Sequence, residues 1–468
     1  MTKVSNLNET MTTTGDPNPS EEQLRICKEV VKGGNHAIFG ETGTGKTRLI
    51  RLIVEELKGM GKKVLCVAPN WTATLNMGIK EALPIHLVFH LPEESKIRAL
   101  RPDLFGDSIE YVERIVPSWE KGDLFMPVIP DTLIIDEISM CRSDIFAVID
   151  RIMRIVKKTD MPFGGIQLIV VGNPMKIVAL MSVENDCYYI KSKYGSHYCF
   201  DTQTWNETYF KIHKLTTVYR QSQDPQLNKY LHAMHSLSIT DRELAELNNM
   251  IVSKSIPEFS YSYFCRLLWL KVRAIVTNTC IKSQLIKTSQ LFESTIIGDF
   301  PLYDFPVNYR LNLDIGERVL LTANYHDGAK TVYERGDLGT FVNKSNEKPM
   351  VLLDRNNELV EVSAKTWEHY DYLVTDDNQS HCKCTGWFTQ YPILPGYAIA
   401  VEQAQGMILS GRLQLDLPLC PVIPFGLIYT ALSCVQFLEC ISCNRVIKRR
   451  DLQPPKDICD FMTKHDLL

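Results

Sequence analysis

No stretch of this 468-residue chain is apolar for long enough to cross a bilayer, and its first residues carry no charged-then-apolar leader pattern. A basic excess is missing too: 51 lysines and arginines face 55 aspartates and glutamates, a formal net charge of -4. That balance gives no global attraction for nucleic acid, so any such contact must come from a local groove. The 14 cysteines lack the even framework of a small secreted domain, which favours reduced thiols inside a cell. Two clusters, His381-Cys382-Lys383-Cys384 and Cys440-Ile441-Ser442-Cys443, have no partner at zinc-finger spacing, so buried thiols are the simpler reading of both. Lys448-Arg449-Arg450 is too short for a nuclear-import cluster, leaving the nucleus as one compartment among several. Neither an internal repeat nor a membrane segment organises the chain. Its length exceeds one core and calls for two or three domains.

What is present is a phosphate-binding signature. Gly40-Glu41-Thr42-Gly43-Thr44-Gly45-Lys46-Thr47 follows the apolar run Ala37-Ile38-Phe39 and leads into the apolar-periodic stretch Arg48 to Val54. Strand, glycine loop and helix are the context in which GxxxxGK[ST] binds a nucleotide. Glycines let successive N–H groups turn inward, and the helix N-terminus adds its positive dipole end. Lys46 then reaches the outer phosphates of ATP, and Thr47 takes a Mg²⁺ position.

Residues 1–19 are polar and read as disordered; Ser20 caps the first helix, which carries Leu24, Cys27, Val30 and Val31 on one side. Short β-branched runs at 63–68, 132–136 and 166–171 alternate with helical patterns, the mark of a parallel sheet covered on both faces. The middle run ends in Asp136-Glu137. Beside a phosphate loop, Asp136 can hold Mg²⁺ while Glu137 polarises the attacking water, and both should be ionised with Mg²⁺ and Lys46 near. From 211 to about 250 the text is helical, a strand follows at 273–277, and further strands fall at 316–322, 339–342, 350–353 and 359–362. The last two flank the turn Asp354-Arg355-Asn356-Asn357, and α/β text returns at 391–401 and 427–432. The expected architecture is α/β: a first P-loop domain over 20–210, a second over 211–339 and 391–468, and a small β module at 340–390.

A colinear set of motifs resembles the superfamily 1 DNA helicases of the RecD, Dda and petite-integration-frequency type, from Ser20 to about Arg445. Ser20-Glu21-Glu22-Gln23 is similar to their adenine-reading segment, and Ala68-Pro69-Asn70-Trp71-Thr72-Ala73 with Ile85-His86 to their strand-gripping loops. Ile134-Ile135-Asp136-Glu137-Ile138-Ser139-Met140, then Pro162 to Leu168, is particularly specific to this branch. Leu215 to Gln221, Thr277-Asn278, Gly316 to Val319, Arg335 to Gly339, Gln390-Tyr391-Pro392, Gln405-Gly406 and Tyr429 to Ser433 continue the order. The resemblance implies two RecA-like domains with ATP between them, single-stranded DNA across their top, and 5′→3′ movement during replication, recombination or repair. It implies Gln23 on the base and Gly406 beside the nucleotide, and Arg220 at the γ-phosphate. Pro69, Asn70, Thr72, His86, Asn278 and Gln405 are implied on DNA. Segment 90–125, with Phe105, Tyr111 and Trp119, occupies the place of the family's strand-separating insertion; a core role for these aromatics is equally open.

Three departures stand out. The family's Gly-Asp-x-x-Gln is Gly172-Asn173-Pro174-Met175-Lys176, its Thr-x-His-Lys-x-Gln-Gly is Ala400 to Gly406, and the arginine after Ala-Leu-Ser is Cys434. A cysteine is neutral and cannot replace that arginine, whereas Lys176 adds a cation where a glutamine stood, so Lys176 is expected either to take over charge stabilisation in part or, equally, to be a surface lysine in a decayed motif. The competing reading is a divergent ATP-binding subunit, slow or silent in hydrolysis, that serves as a scaffold or clamp among replication proteins. The loosened motifs also suit a helicase encoded by a large DNA virus.

Overall fold

The computed structural model describes residues 19–69, 71–79, 81–91, 115–122, 124, 126–177, 190–219, 224–252, 265–268, 289–300, 305–327, 330–374, 380–409, 412–417 and 423–468. Order begins with α1 (Glu21–Val30), fixed by a capping box in which the Ser20 hydroxyl accepts from Gln23 N and the Gln23 side chain from Ser20 N. Six parallel strands follow: β1 (His36–Gly40), β2 (Val64–Ala68), β3 (Leu83–Pro84), β4 (Thr132–Ile135), β5 (Gln167–Gly172) and β6 (Lys211–Leu215), in the order β3-β2-β4-β5-β1-β6. Helix α2 (Lys46–Gly59) packs Leu49, Ile50 and Ile53 with Ile38, Ile134 and Ile169 on one face, while Phe39, Leu133, Ile135 and Val170 join the core on the other. Burial on both faces is why these strands read as continuous apolar runs.

Helical text was expected from residue 211, yet Lys211–Leu215 is an edge strand paired with β1, so the first sheet extends beyond 210. Its Lys-Ile-His-Lys-Leu text has the alternation of a half-covered edge strand, and adjacent helical patterns masked it. Trp119 is in the core and donates to Phe89 O at 3.4 Å; Phe105 and Tyr111 lie outside the described residues, as do residues 1–18 and the strand expected at 273–277.

The second lobe is built on four parallel strands in the order Ala398–Ala400, Cys265–Leu268, Leu413–Asp416, Ile441–Cys443. Helices Pro225–His235, Asp241–Ile251 and Leu427–Ser433 accompany it. The β region is wider than 340–390. Arg318–Leu321 pairs antiparallel with Leu338–Ser345 and with Ile393–Pro395, so the strand expected in the second sheet serves the module. The turn at 354–357 does join Lys348–Leu353 to Leu359–Glu361. Inside this module Arg318 is fully buried and donates to Asp354 Oδ1 at 2.7 Å. Helix Lys456–Lys464 returns to the first lobe, where Phe461 stacks on Phe200 at 4.2 Å and meets Phe39 edge-on at 5.5 Å.

Candidate functional site

All parallel strands of the first sheet end on the same side, where α/β folds place their ligands. In register, Phe39 lies opposite Gly172 and Gly40 opposite Leu215, which brings the loop after β1 beside the ends of β5 and β6. Asp136 and Glu137 follow β4 directly. The loop's last turn uses Gly45 at φ 77°, where a Cβ would stand 2.6 Å from Gln23 Nε2. Helix α2 then begins with no side-chain cap and no acid in its first turn, leaving its N–H groups and dipole directed at an anion. Thr47 sits half-buried in that first turn. Lys46 Nζ donates to the carbonyls of Gly40 at 2.9 Å and Glu41 at 2.7 Å, so its ammonium lies folded over the cradle. Thr44 Oγ1 braces the same loop through Glu41 O at 2.9 Å.

Glu137 takes the left-handed backbone conformation at φ 49°, a costly posture for a residue with a side chain. Its N–H donates to Asp136 Oδ1 at 2.8 Å, and this bond orients the Asp136 carboxylate. Lys176 Nζ donates to Glu137 Oε1 at 2.7 Å, and Gln405 Nε2, from the second lobe, to Glu137 Oε2 at 3.1 Å. Burial pushes the Glu137 pKa up, but the Lys176 ammonium and its hydrogen bond outweigh it, and the net shift is down. Asp136 goes the other way, raised by burial and then by the charge of Glu137. The protein's own groups therefore keep only one of the two carboxylates firmly ionised, where both were expected so with a cation near.

The second lobe also reaches the loop itself. Tyr429, from helix Leu427–Ser433, accepts at its hydroxyl from Thr42 N and from Asn173 Nδ2, both at 3.2 Å. Ile177 N donates to Thr430 Oγ1 at 2.8 Å, so the segment after β5 is stitched to the same helix. A cavity of about 390 Å³ opens between the lobes, with Gly40, Glu41 and Thr216 on one wall and Asn228, His232 and His235 on the other. Tyr219 N donates to Gly43 O at 2.8 Å, and its ring stands 3.5 Å from where a Cβ on Gly45 would be.

A family model described as PIF1-like helicase matches residues 20–238. Residues 20–238 are thus similar to the PIF1-like helicases. Over the longer span the chain is 25% identical to the ATP-dependent DNA helicase PIF1 of Danio rerio across 441 residues, 90% of this chain and 60% of that relative. The chain therefore spans less than two thirds of that curated relative. In fold it is similar to a Bacteroides sp Pif1 in complex with ADP-AlF4, with TM-score 0.73, 24% identity, and coverage of 96% of this chain and 98% of that one. A Bacteroides Pif1 bound to ssDNA aligns with TM-score 0.59 at 24% identity, covering 96% and 97%. The fold is that of PIF1 helicases, two RecA-like lobes.

Against the PIF1-type frame, several expected residues meet and others do not. Lys46, Thr47, Asp136, Glu137, Lys176 and Gly406 converge, along with Gly40 to Gly45. Gln23 was expected on the base, but its Oε1 serves the helix cap and its Nε2 donates to Gly45 O at 3.2 Å. Gln405 was expected on DNA; it is buried against Glu137, because the short helix Val401–Ala404 ahead of it turns it into the cleft. Lys176 pairs with the base rather than standing clear of it. Cys434 is buried, its thiol donating to Thr430 O at 3.1 Å and Ala404 O at 3.2 Å, so that position is core. Pro69 and His86 are half-buried at the ends of β2 and β3. Arg220, Asn70, Asn278 and the side chain of Thr72 lie outside the described residues, and so does that of Cys382. Cys443 is buried, its thiol pushed up to about 11 by burial. Tyr429 and Asn173 carried no assigned role in the sequence; a tyrosine inside the apolar run 427–432 was the signal available.

Proposed function

We propose that this chain is an ATP-dependent DNA helicase that moves 5′→3′ along single-stranded DNA and opens forked DNA in replication, recombination or repair. The observation that carries the reading is that Glu137 is held from both lobes at once, by Lys176 at 2.7 Å and Gln405 at 3.1 Å. A base assembled only where two lobes meet makes hydrolysis depend on their closure, which is what a motor needs.

Phosphate oxygens arriving at the loop draw the Lys46 ammonium from the carbonyls of Gly40 and Glu41, since an anion is the stronger acceptor. Thr42 N–H, now given to Tyr429, is a donor the phosphates compete for, so nucleotide and second lobe are read at one atom. Thr47 and Asp136 fit Mg²⁺, because a buried carboxylate, met at one oxygen by the Glu137 N–H, and a hydroxyl in the first turn of α2 are the oxygen donors this ion takes. Bound there, the ion supplies charge neutralisation to the phosphates. Glu137 orients and polarises water; Lys176 keeps it ionised and is the cation placed to pass to the γ-phosphate, with Arg220 as the second. Hydrolysis removes the shared contacts, the lobes part, and the grip on DNA shifts.

The buried, neutral Cys434 speaks for slower turnover than an arginine there would allow. The test is ATP hydrolysis with and without single-stranded DNA, with Glu137→Gln alongside. DNA should raise turnover at least about tenfold, and Glu137→Gln should lower it by about 10²–10⁴. ATP bound but not consumed in the parent would instead support a scaffold. Duplexes tailed at the 5′ or the 3′ end report polarity.

A further inference from the structure

Three bodies meet one residue away from the base. Asn76 lies in the helix Trp71–Met77, whose first turn carries Thr72. Its Oδ1 accepts from Arg335 Nη1 of the β module at 3.0 Å. Its Nδ2 is buried with no hydrogen-bond partner among the described residues. That amide faces Gly406 of the second lobe so closely that a Cβ there would stand 2.4 Å from Nδ2 and 3.8 Å from Glu137 Oε1. The module's approach is equally tight, since a Cβ on Gly336, beside Arg335, would meet Ile408 O at 2.3 Å. Burial lowers the Arg335 pKa to about 10, leaving the guanidinium charged and committed to this junction at neutral pH.

A buried amide donor without an acceptor costs free energy, and such a group next to a carboxylate is poised to use it. Glu137 Oε1 is occupied by Lys176 in this arrangement. When Lys176 turns to a γ-phosphate, that oxygen loses its donor while Asn76 Nδ2 stands nearby. We infer that Arg335 and Asn76 form a positioning pair through which the β module and the helix Trp71–Met77 set the orientation of Glu137. Arg335 fixes the Asn76 amide by its oxygen, and the amide's N–H replaces Lys176 on Glu137. A pull on the first turn of that helix moves Asn76 and so trims the base. Neither residue touches the reacting atoms.

This inference rests on the helicase reading, because the pull is assigned to bound DNA. The experiment uses the full chain, with oligo-dT as the probe, and compares the parent with Arg335→Ala, Arg335→Lys, Asn76→Ala and the Arg335→Ala/Asn76→Ala double variant. Stimulation of ATP turnover by oligo-dT should fall about tenfold in each alanine variant and no further in the double. In Arg335→Ala the DNA-free turnover, the KM for ATP, the oligo-dT affinity and the melting temperature should stay within about twofold of the parent or unmoved. Arg335→Lys should recover part of the stimulation. Stimulation preserved in both single variants overturns the pair, and so does a loss of oligo-dT affinity that accounts for the fall, which would make Arg335 a DNA contact. Additive losses overturn it also. A parent that oligo-dT does not stimulate sinks the helicase reading itself and the inference with it, an outcome visible before any variant is measured.

Discussion

The first lobe draws its six parallel strands from residues 36–215, several of them five or six residues long, whereas the second builds four strands of three or four residues from segments scattered over 265–443. The first holds the phosphate loop, the carboxylates and Lys176; the second contributes Gln405, Gly406 and Tyr429 to the same cleft. Binding a phosphate needs only a strand, a turn and a helix start, so local sequence can build it. Sensing whether that phosphate is present needs groups that arrive from elsewhere and can leave, and a smaller sheet with short strands is the element suited to moving. The boundary between the two is also less clean than the sequence order, since helix Lys456–Lys464 crosses back to the first lobe.

That crossing gives the largest expected effect. Phe461→Ala removes the ring packed on Phe39, Phe200 and Trp205 and should cost about 3–5 kcal/mol. Calorimetry reads this as a lowered melting transition; an unchanged one would mean that the helix is not part of the first lobe's core. Next comes Cys434→Arg, which places the family's arginine in a buried position. It should destabilise by about 2–3 kcal/mol through overpacking and leave ATP turnover no higher. Faster turnover in that variant would show the second lobe able to offer a cation from 434 after all.

Lys176→Gln tests the seam between the lobes and should lower turnover about tenfold, equivalent to about 1.4 kcal/mol of barrier. Without the ammonium, burial of Glu137 is opposed only by the Lys46 charge and the Gln405 hydrogen bond, so its pKa rises and the acid side of the rate profile moves to higher pH. Turnover and profile equal to the parent would remove Lys176 from the chemistry. The smallest effect belongs to the far end of the first sheet, where His36 Nδ1 and His213 Nε2 lie 2.9 Å apart. Burial, then the His36 charge, lowers the His213 pKa to about 4, and burial lowers that of His36. The unfolded chain takes up these protons near the ordinary pKa of about 6.5 and the folded chain only lower down, so stability declines as pH falls through that window. Urea midpoints at neutral and mildly acidic pH should show the decline, and His213→Gln should flatten it.

Much of this was legible from residue order. GETGTGKT after an apolar run, the acids at 136 and 137, and the Ser20 cap each depend on neighbours within a few positions, and each stands where local rules put it. Strand Lys211–Leu215 escaped because an edge strand buries one side and blends into helical text. The module's reach to 318–321 escaped because pairing partners lie up to about seventy residues away. The contacts of Gln23 with Gly45 O and of Gln405 with Glu137 escaped for a related reason: an amide's type does not say which way it faces.

The chain's order of residues determined by itself that a phosphate-loop motif exists between a strand and a helix and that two carboxylates follow a neighbouring strand, since strand, glycine turn and helix dipole are short-range matters. Only the folded arrangement decided who holds Glu137, that 434 is core, and that Tyr429 takes Thr42 N–H. Those contacts join groups up to 387 positions apart. No local propensity encodes them; they follow from how two sheets and a module pack, and the free energy of that packing is spread over the whole chain.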